Sequence, residues 1–199
     1  MARCSGDPYS RVVHQLTYLS GQLLLAMPGM ADRRFDHAVI AICAHDEGGA
    51  LGIGLGATIE GLGFHALLDQ FDIPHGDAPD APVHFGGPVE PRRGFVLHSR
   101  DWEGQDSVAV GGKWVLSSTI DVLRAIAEGR GPGRWVVALG YAGWDAGQLE
   151  EELREPGCWF NVPVNDAILY DTDAHDRWQA AFGIAGVDPR QLVTGGGTA

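Results

Sequence analysis

The residues dense enough in ligand-type atoms to suggest chemistry are His45, Asp46 and Glu47, with His37 and Cys43 close by in the chain. Imidazole, carboxylate and thiolate are the groups that hold zinc and other transition metals. Neighbouring residues on a strand point to opposite faces, so His45 and Asp46 diverge, and the H-D-E run reads as the solvated tip of a hairpin. His84 and His98 flank two further strand-like runs and could meet across a sheet. An enzyme or metalloprotein reading would therefore use His45, Asp46, His84 and His98, with Cys43 as a further ligand. Gly52, Gly54 and Ala57 fit G-x-G-x-x-G/A, the turn that brings a pyrophosphate to a helix N-terminus, but these glycines fall inside a strand-like run entered through a hairpin. Gly111, Gly112 and Lys113 precede Trp114 where a phosphate-binding loop needs Ser or Thr, and no nucleophile elbow, Ser-x-x-Lys or His-Glu-x-x-His occurs. Glu150, Glu151, Glu152 and Glu155 read as the solvated face of a helix, not as a buried hydrolytic pair.

Strands and helices must position whatever these residues do. Strand-like runs span 21–27, 37–44, 50–55, 83–85, 95–98, 107–110 and 135–139, several of them continuously apolar, which predicts a sheet covered on both faces. Asp46 to Gly49 reads as a tight hairpin connection, and Asp101 to Gln105 reads the same way. Phe64, Leu67, Leu68 and Phe71 fall at i, i+3, i+4 and i+7 and predict a helix that Pro74 stops. Ser118 as N-cap opens a second helix to Glu128, with Ile120, Leu123 and Ala127 on one face. A third starts at Asp145 with Gln148 completing a capping box, and a fourth carries Ala174, Trp178, Ala181 and Phe182 up to Gly183. Strands and helices do not alternate strictly, so the pattern predicts an α+β fold in one domain over 1–199, with flexible tails at 1–12 and 195–199.

Composition narrows the function classes. The 199 residues carry 14 Lys plus Arg against 26 Asp plus Glu, a formal net charge of -12, and such a field repels phosphate backbones and anionic lipid. The Arg33–Arg34 and Arg92–Arg93 pairs sit among acidic residues, which argues against direct nucleic-acid binding. No leader pattern opens the chain and no apolar run reaches the roughly 18 residues of a membrane span, so a cytoplasmic protein is expected. Cys4, Cys43 and Cys158 are odd in number and far apart, which fits a reducing compartment, with Cys43 as a small buried hydrophobe. No motif implies a cofactor.

The loop-like segments F-G-G-P-V and L-G-Y-A-G-W combine glycines with a proline and large aromatics. Such a composition builds either a structural corner or a groove for a small molecule or peptide. Gly86, Gly87, Pro88, Arg93, His98, Tyr141 and Trp144 are the candidate binding residues.

The same segments carry a family resemblance. L-L-L-A-M-P-G-M-A-D-R-R-F at 23–35, C-A-H-D-E-G-G-A-L-G at 43–52, F-G-G-P-V at 85–89, R-G-F-V-L-H at 93–98 and L-G-Y-A-G-W-D-A-G-Q-L-E at 139–150 resemble the YqgE/AlgH family, in order and across most of the chain. The resemblance implies a bacterial cytoplasmic α+β protein of bifurcated, coiled β-sheets with flanking helices. It carries a transcriptional-regulator label and no agreed catalytic residues. The chain departs from the family at Ile53–Ala57, where a V-I-N-R-P-like stretch is usual, and at Gly157–Phe160, where only Trp159 of Asn-Ala-Trp-Leu is kept. The favoured reading is a non-enzymatic regulatory or interaction protein binding a protein partner or small effector through Gly86–Pro88, Arg93 and Tyr141–Trp144.

Overall fold

The run V-I-A-I-C-A-H-D forms strand β2 (Val39–Asp46), and its first five residues are all buried. Alternate side chains enter different cores: Val39, Ala41 and Cys43 pack on one face, Ile40 and Ile42 on the other. A sheet covered on both faces is what a continuous apolar run requires. The computed structural model describes residues 18–163 and 165–195. The tail expectation for 1–12 and 196–199 lies outside them, while Gly195 closes a 3-10 stretch at Pro189–Gly195.

The strands are β1 (Gln22–Ala26), β2, β3 (Gly49–Gly54), β4 (Thr58–Gly63), β5 (Pro82–Phe85), β6 (Val89–His98), β7 (Val108–Val110), β8 (Trp114–Ser117), β9 (Trp135–Asp145) and β10 (Trp159–Pro163). Helices α1 (Phe64–Asp69), α2 (Ile120–Ala127), α3 (Gln148–Arg154) and α4 (Ala174–Ile184) complete the order, with a π-turn at Ala167–Asp171. The sheet runs β10-β1-β2-β3-β9-β6-β8-β7, with β5 and its partner β4 branching off β9. All pairings are antiparallel except β5 with β9. The fold is a mixed α+β half-barrel with a strongly curled sheet: the element pattern predicts the α+β class, and the family resemblance implies the coiled sheet.

The branch point is a crossing of backbones. One end of β9 pairs with β3 through Ala142–Asp145, the other with β5 through Val137–Leu139. Between them Gly86 and Gly87 lie against Gly140 and Tyr141: a Cβ on Gly86 would meet the Gly140 oxygen at 2.1 Å, and one on Gly87 the Tyr141 carbonyl carbon at 2.2 Å. Gly140 itself sits at φ +74. Only glycine permits so close an approach, and the F-G-G-P-V and L-G-Y-A-G-W segments build this corner.

Several expectations are corrected. Asp101–Gln105 is not a hairpin, because β6 and β7 both pair with β8 and not with each other. The hairpin lies instead at Gly111–Lys113, where Val110 faces Trp114. The L-G-Y-A-G-W stretch is strand, continuous with 135–139. Thr119, not Ser118, precedes α2, and Ile120 is exposed. Helix α3 begins at Gln148, whose Oε1 accepts the Asp145 N–H at 3.0 Å, so one half of the capping box forms. Helix α4 runs one residue past Gly183. Gly52 and Gly54 lie within β3, with no helix opening after Ala57.

Candidate functional site

Residues 90–93 of β6 bulge, because Val89 pairs with Tyr141 while Gly94 already pairs with Leu139. The bulge, with Glu90 at φ +46, lifts Pro91 and Arg92 away from β9. Gly94 then leaves Leu139 uncovered: a Cβ there would meet only a Leu139 methyl, at 3.9 Å. Helix α1 and the turn after it supply Leu67, Gln70 and Phe71, and the start of α2 supplies Ser118, Thr119, Ile120 and Leu123. Together they enclose a trough of about 550 Å³. Phe71, 46% exposed, and Ile120, 36% exposed, form its lips. Phe71 belongs to the predicted helical stripe, yet it lies past the end of α1 and faces the trough.

The polar groups of the trough differ in how far they are already engaged. Ser117 Oγ is 3.0 Å from His98 Nε2 and 2.9 Å from Ser107 Oγ. Thr119 Oγ1 bonds Asp121 and the Gln105 carbonyl. Arg92 and Gln70 have no side-chain hydrogen bond or ion pair among the described residues. Arg93, beside Arg92, pairs with Glu90 at 3.2 Å, reaches Ser118 Oγ at 3.5 Å and lies over the Phe95 ring at 5.1 Å. Its lining includes no His, Cys, Asp or Glu.

The sequence-predicted site residues separate. Gly86 and Gly87 occupy the backbone crossing, and Pro88 with Trp144 lines a different cleft of about 350 Å³ beside Phe35 and Glu152. Tyr141 packs edge-on against Phe95 and opens with Trp144 onto a further surface groove beside Gly48 and Val89. His98 is fully buried, its ring nitrogens taken by Ser117 and, at 2.8 Å, by the Ser99 carbonyl oxygen. Arg93 alone of these residues borders the trough, through the shallow Glu90–Arg93 depression that shares Pro91 and Arg92 with it.

The alternative set of His45, Asp46, His84 and His98 with Cys43 does not converge, and no group of three or more metal-ligating side chains occurs among the described residues. His45 is no solvated tip: its Nδ1 accepts the Leu19 N–H at 3.0 Å, and its Nε2 lies 3.1 Å from Glu150 Oε1. The backbone donor assigns the ring proton to Nε2, which donates to Glu150. Asp46 instead points to solvent and accepts the Gly48 N–H. His84 is buried, its Nδ1 has no partner, and burial, followed by the nearby Arg177 charge, pushes its pKa down to about 4. Burial lifts the Cys43 thiol to about 12, and burial together with the Glu155 carboxylate raises Cys158, so neither thiol is a ready nucleophile.

The acidic face of α3 is also corrected. Glu150 serves His45, and Glu152 Oε2 accepts both the Trp144 and Trp159 indole N–H groups at 2.9 and 2.8 Å. Glu152→Leu strands two buried donors, with an expected loss of about 2 kcal/mol in urea unfolding followed by tryptophan fluorescence. Glu152→Gln, which keeps an acceptor, should lose less than half of that.

The fold defines a class, the curled α+β half-barrel in which one strand serves two diverging sheets. The chain belongs to the AlgH-like family, whose pattern matches residues 23–190. It is 58% identical over 183 residues to a UPF0301 protein of Sphingopyxis alaskensis, covering 92% of this chain and 97% of that one. Identity to a UPF0301 protein of Rhodospirillum rubrum is 45%, with 92% and 95% covered. The solution structure of AlgH from Pseudomonas aeruginosa superposes with a TM-score of 0.72 at 36% identity over the whole of both chains. A crystal structure from Corynebacterium diphtheriae shares the fold, with a TM-score of 0.68 at 20% identity and 88% and 92% covered. No helix among the described residues is long and apolar enough to cross a membrane.

A Cβ at Gly56 would lie 3.0 Å from the His37 oxygen, and Arg177 from α4 donates to the Leu55 carbonyl. Arg92, Gly94 and Phe71 were not among the binding residues predicted from the sequence, since the trough forms only when α1, α2 and the bulge of β6 come together.

Proposed function

We propose that this protein is a non-enzymatic interaction protein that binds a partner segment or small effector, and that its binding site is the trough between α1, α2 and β6, with Arg93 on its border. The carrying observation is an apolar trough of about 550 Å³ with Phe71 and Ile120 exposed on its lips. Ligand sites of roughly 300–1,000 Å³ are mostly apolar with a few polar groups that orient the ligand. A lining free of His, Cys, Asp and Glu offers no general acid or base, which favours binding over chemistry. Gly86, Gly87 and Gly140 support the site indirectly, by fixing where β9 passes beneath it.

Gly94→Val tests the reading, because a strand position with space above Leu139 accepts the branched side chain while filling the trough. The expected result is saturable binding of the neutral dye Nile red to the native protein and about a tenfold loss in the variant, whose stability stays equal or rises by up to about 1 kcal/mol. Equal dye binding in a folded Gly94→Val protein would place the site elsewhere.

A further inference from the structure

Resting on that reading, we infer that the occupant of the trough is a small amphipathic anion, its apolar body against Leu67, Phe71, Leu123 and Leu139 and its acidic group against Arg92. The argument is charge complementarity. Arg92 is the one charged side chain on the trough lining, which carries no Asp or Glu to neutralise it. Its neighbour Arg93 has a carboxylate within ion-pair distance, Glu90 at 3.2 Å. Arg92 has none among the described residues, and it shares the trough lining with Ser118. A guanidinium at the mouth of an apolar trough matches a carboxylate in shape as well as charge, through paired N–H donors.

Two other occupants fit less well. An extended peptide adding beside the part of β6 that β8 does not pair would meet Pro91, which has no N–H, and Glu90 at φ +46, which breaks the pleat. An anionic bilayer would contact Phe71, Ile120 and the arginines, but the overall negative charge opposes its approach. The apolar volume suits a single chain of moderate length, and the one guanidinium on the lining suits a single charge.

The test uses the intact protein and three probes of equal chain length below their aggregation limits: decanoate, decan-1-ol and decyltrimethylammonium, followed by amide shifts of Gly94 and Ser118–Leu123. Decanoate is expected to bind about tenfold more tightly than decan-1-ol, and the cation more weakly than either. Arg92→Ala should remove the advantage of decanoate and leave decan-1-ol unchanged, while Arg92→Lys should restore part of it. The anion inference falls, with the trough still standing as a site, if all three probes bind alike or if Arg92→Ala leaves the decanoate preference intact. Binding of phosphatidylglycerol vesicles without binding of monomeric decanoate overturns it in favour of a membrane surface. If neither decanoate nor decan-1-ol shifts these amides, the binding reading of the trough fails with it.

Discussion

Replacing Arg177 with Met is expected to cost about 4 kcal/mol in urea unfolding, far more than a typical helix substitution. The residue is 3% exposed and has no carboxylate within ion-pair distance among the described residues. It donates instead to four backbone carbonyls, those of Leu55, Ile168, Leu169 and Thr172, tying α4 and the π-turn to the end of β3. Burial lowers its pKa to about 10, so holding the charge costs on the order of 3 kcal/mol. Four hydrogen bonds from a charged donor, at about 1.5–3 kcal/mol each, outweigh that cost. Arg177→Lys should recover little, since one ammonium cannot span four acceptors. A loss under about 1 kcal/mol for Arg177→Met would mean that water satisfies those carbonyls, and the pinning role would be wrong.

The second large effect is loss of stability in mild acid. His84 titrates near 4 in the fold, pushed down first by burial and then by Arg177, against an ordinary value of 6.5. Protons therefore bind the unfolded chain more readily, and the contribution of His84 is complete above pH 6.5 and disappears as pH falls toward 4. The difference corresponds to about 3 kcal/mol. Burial lowers His98 as well, which adds in the same direction. Unfolding free energies measured from pH 7 to pH 4 should fall steeply for the native protein, whereas His84→Gln should flatten most of that fall. An unchanged slope in His84→Gln would assign the acid sensitivity to other groups.

Much of the architecture was legible because periodicity and punctuation are local. Ile40 and Ile42 against Val39 and Ala41 predict a doubly covered strand, and Phe64, Leu67 and Leu68 predict α1. Strands β4, β8 and β10 escaped notice for different reasons. T-I-E-G-L-G carries two glycines, W-V-L-S is a four-residue run behind a glycine pair, and W-F-N-V-P ends in proline. Glycines in G-Y-A-G-W suggested a loop because their purpose, letting another backbone pass, belongs to a partner some fifty residues away. The misreadings of His45 and Glu152 share one cause. Alternation correctly separates His45 from Asp46, but the Glu150 that makes His45 a buried residue lies 105 positions further on. Likewise the trough borrows from α1, a bulge and α2, and no spacing along the chain places those three together.

The double membership of β9 bears on how the molecule comes apart. Its eleven residues bond β3 at one end and β5 and β6 at the other, while Gly140 is locked under Gly87 between them. Neither half of the sheet can peel away without withdrawing a partner from the other, so partial opening has little to gain over complete opening. The half-barrel should therefore melt in a single concerted transition, and the amides of β9 should exchange with solvent only when the whole chain unfolds.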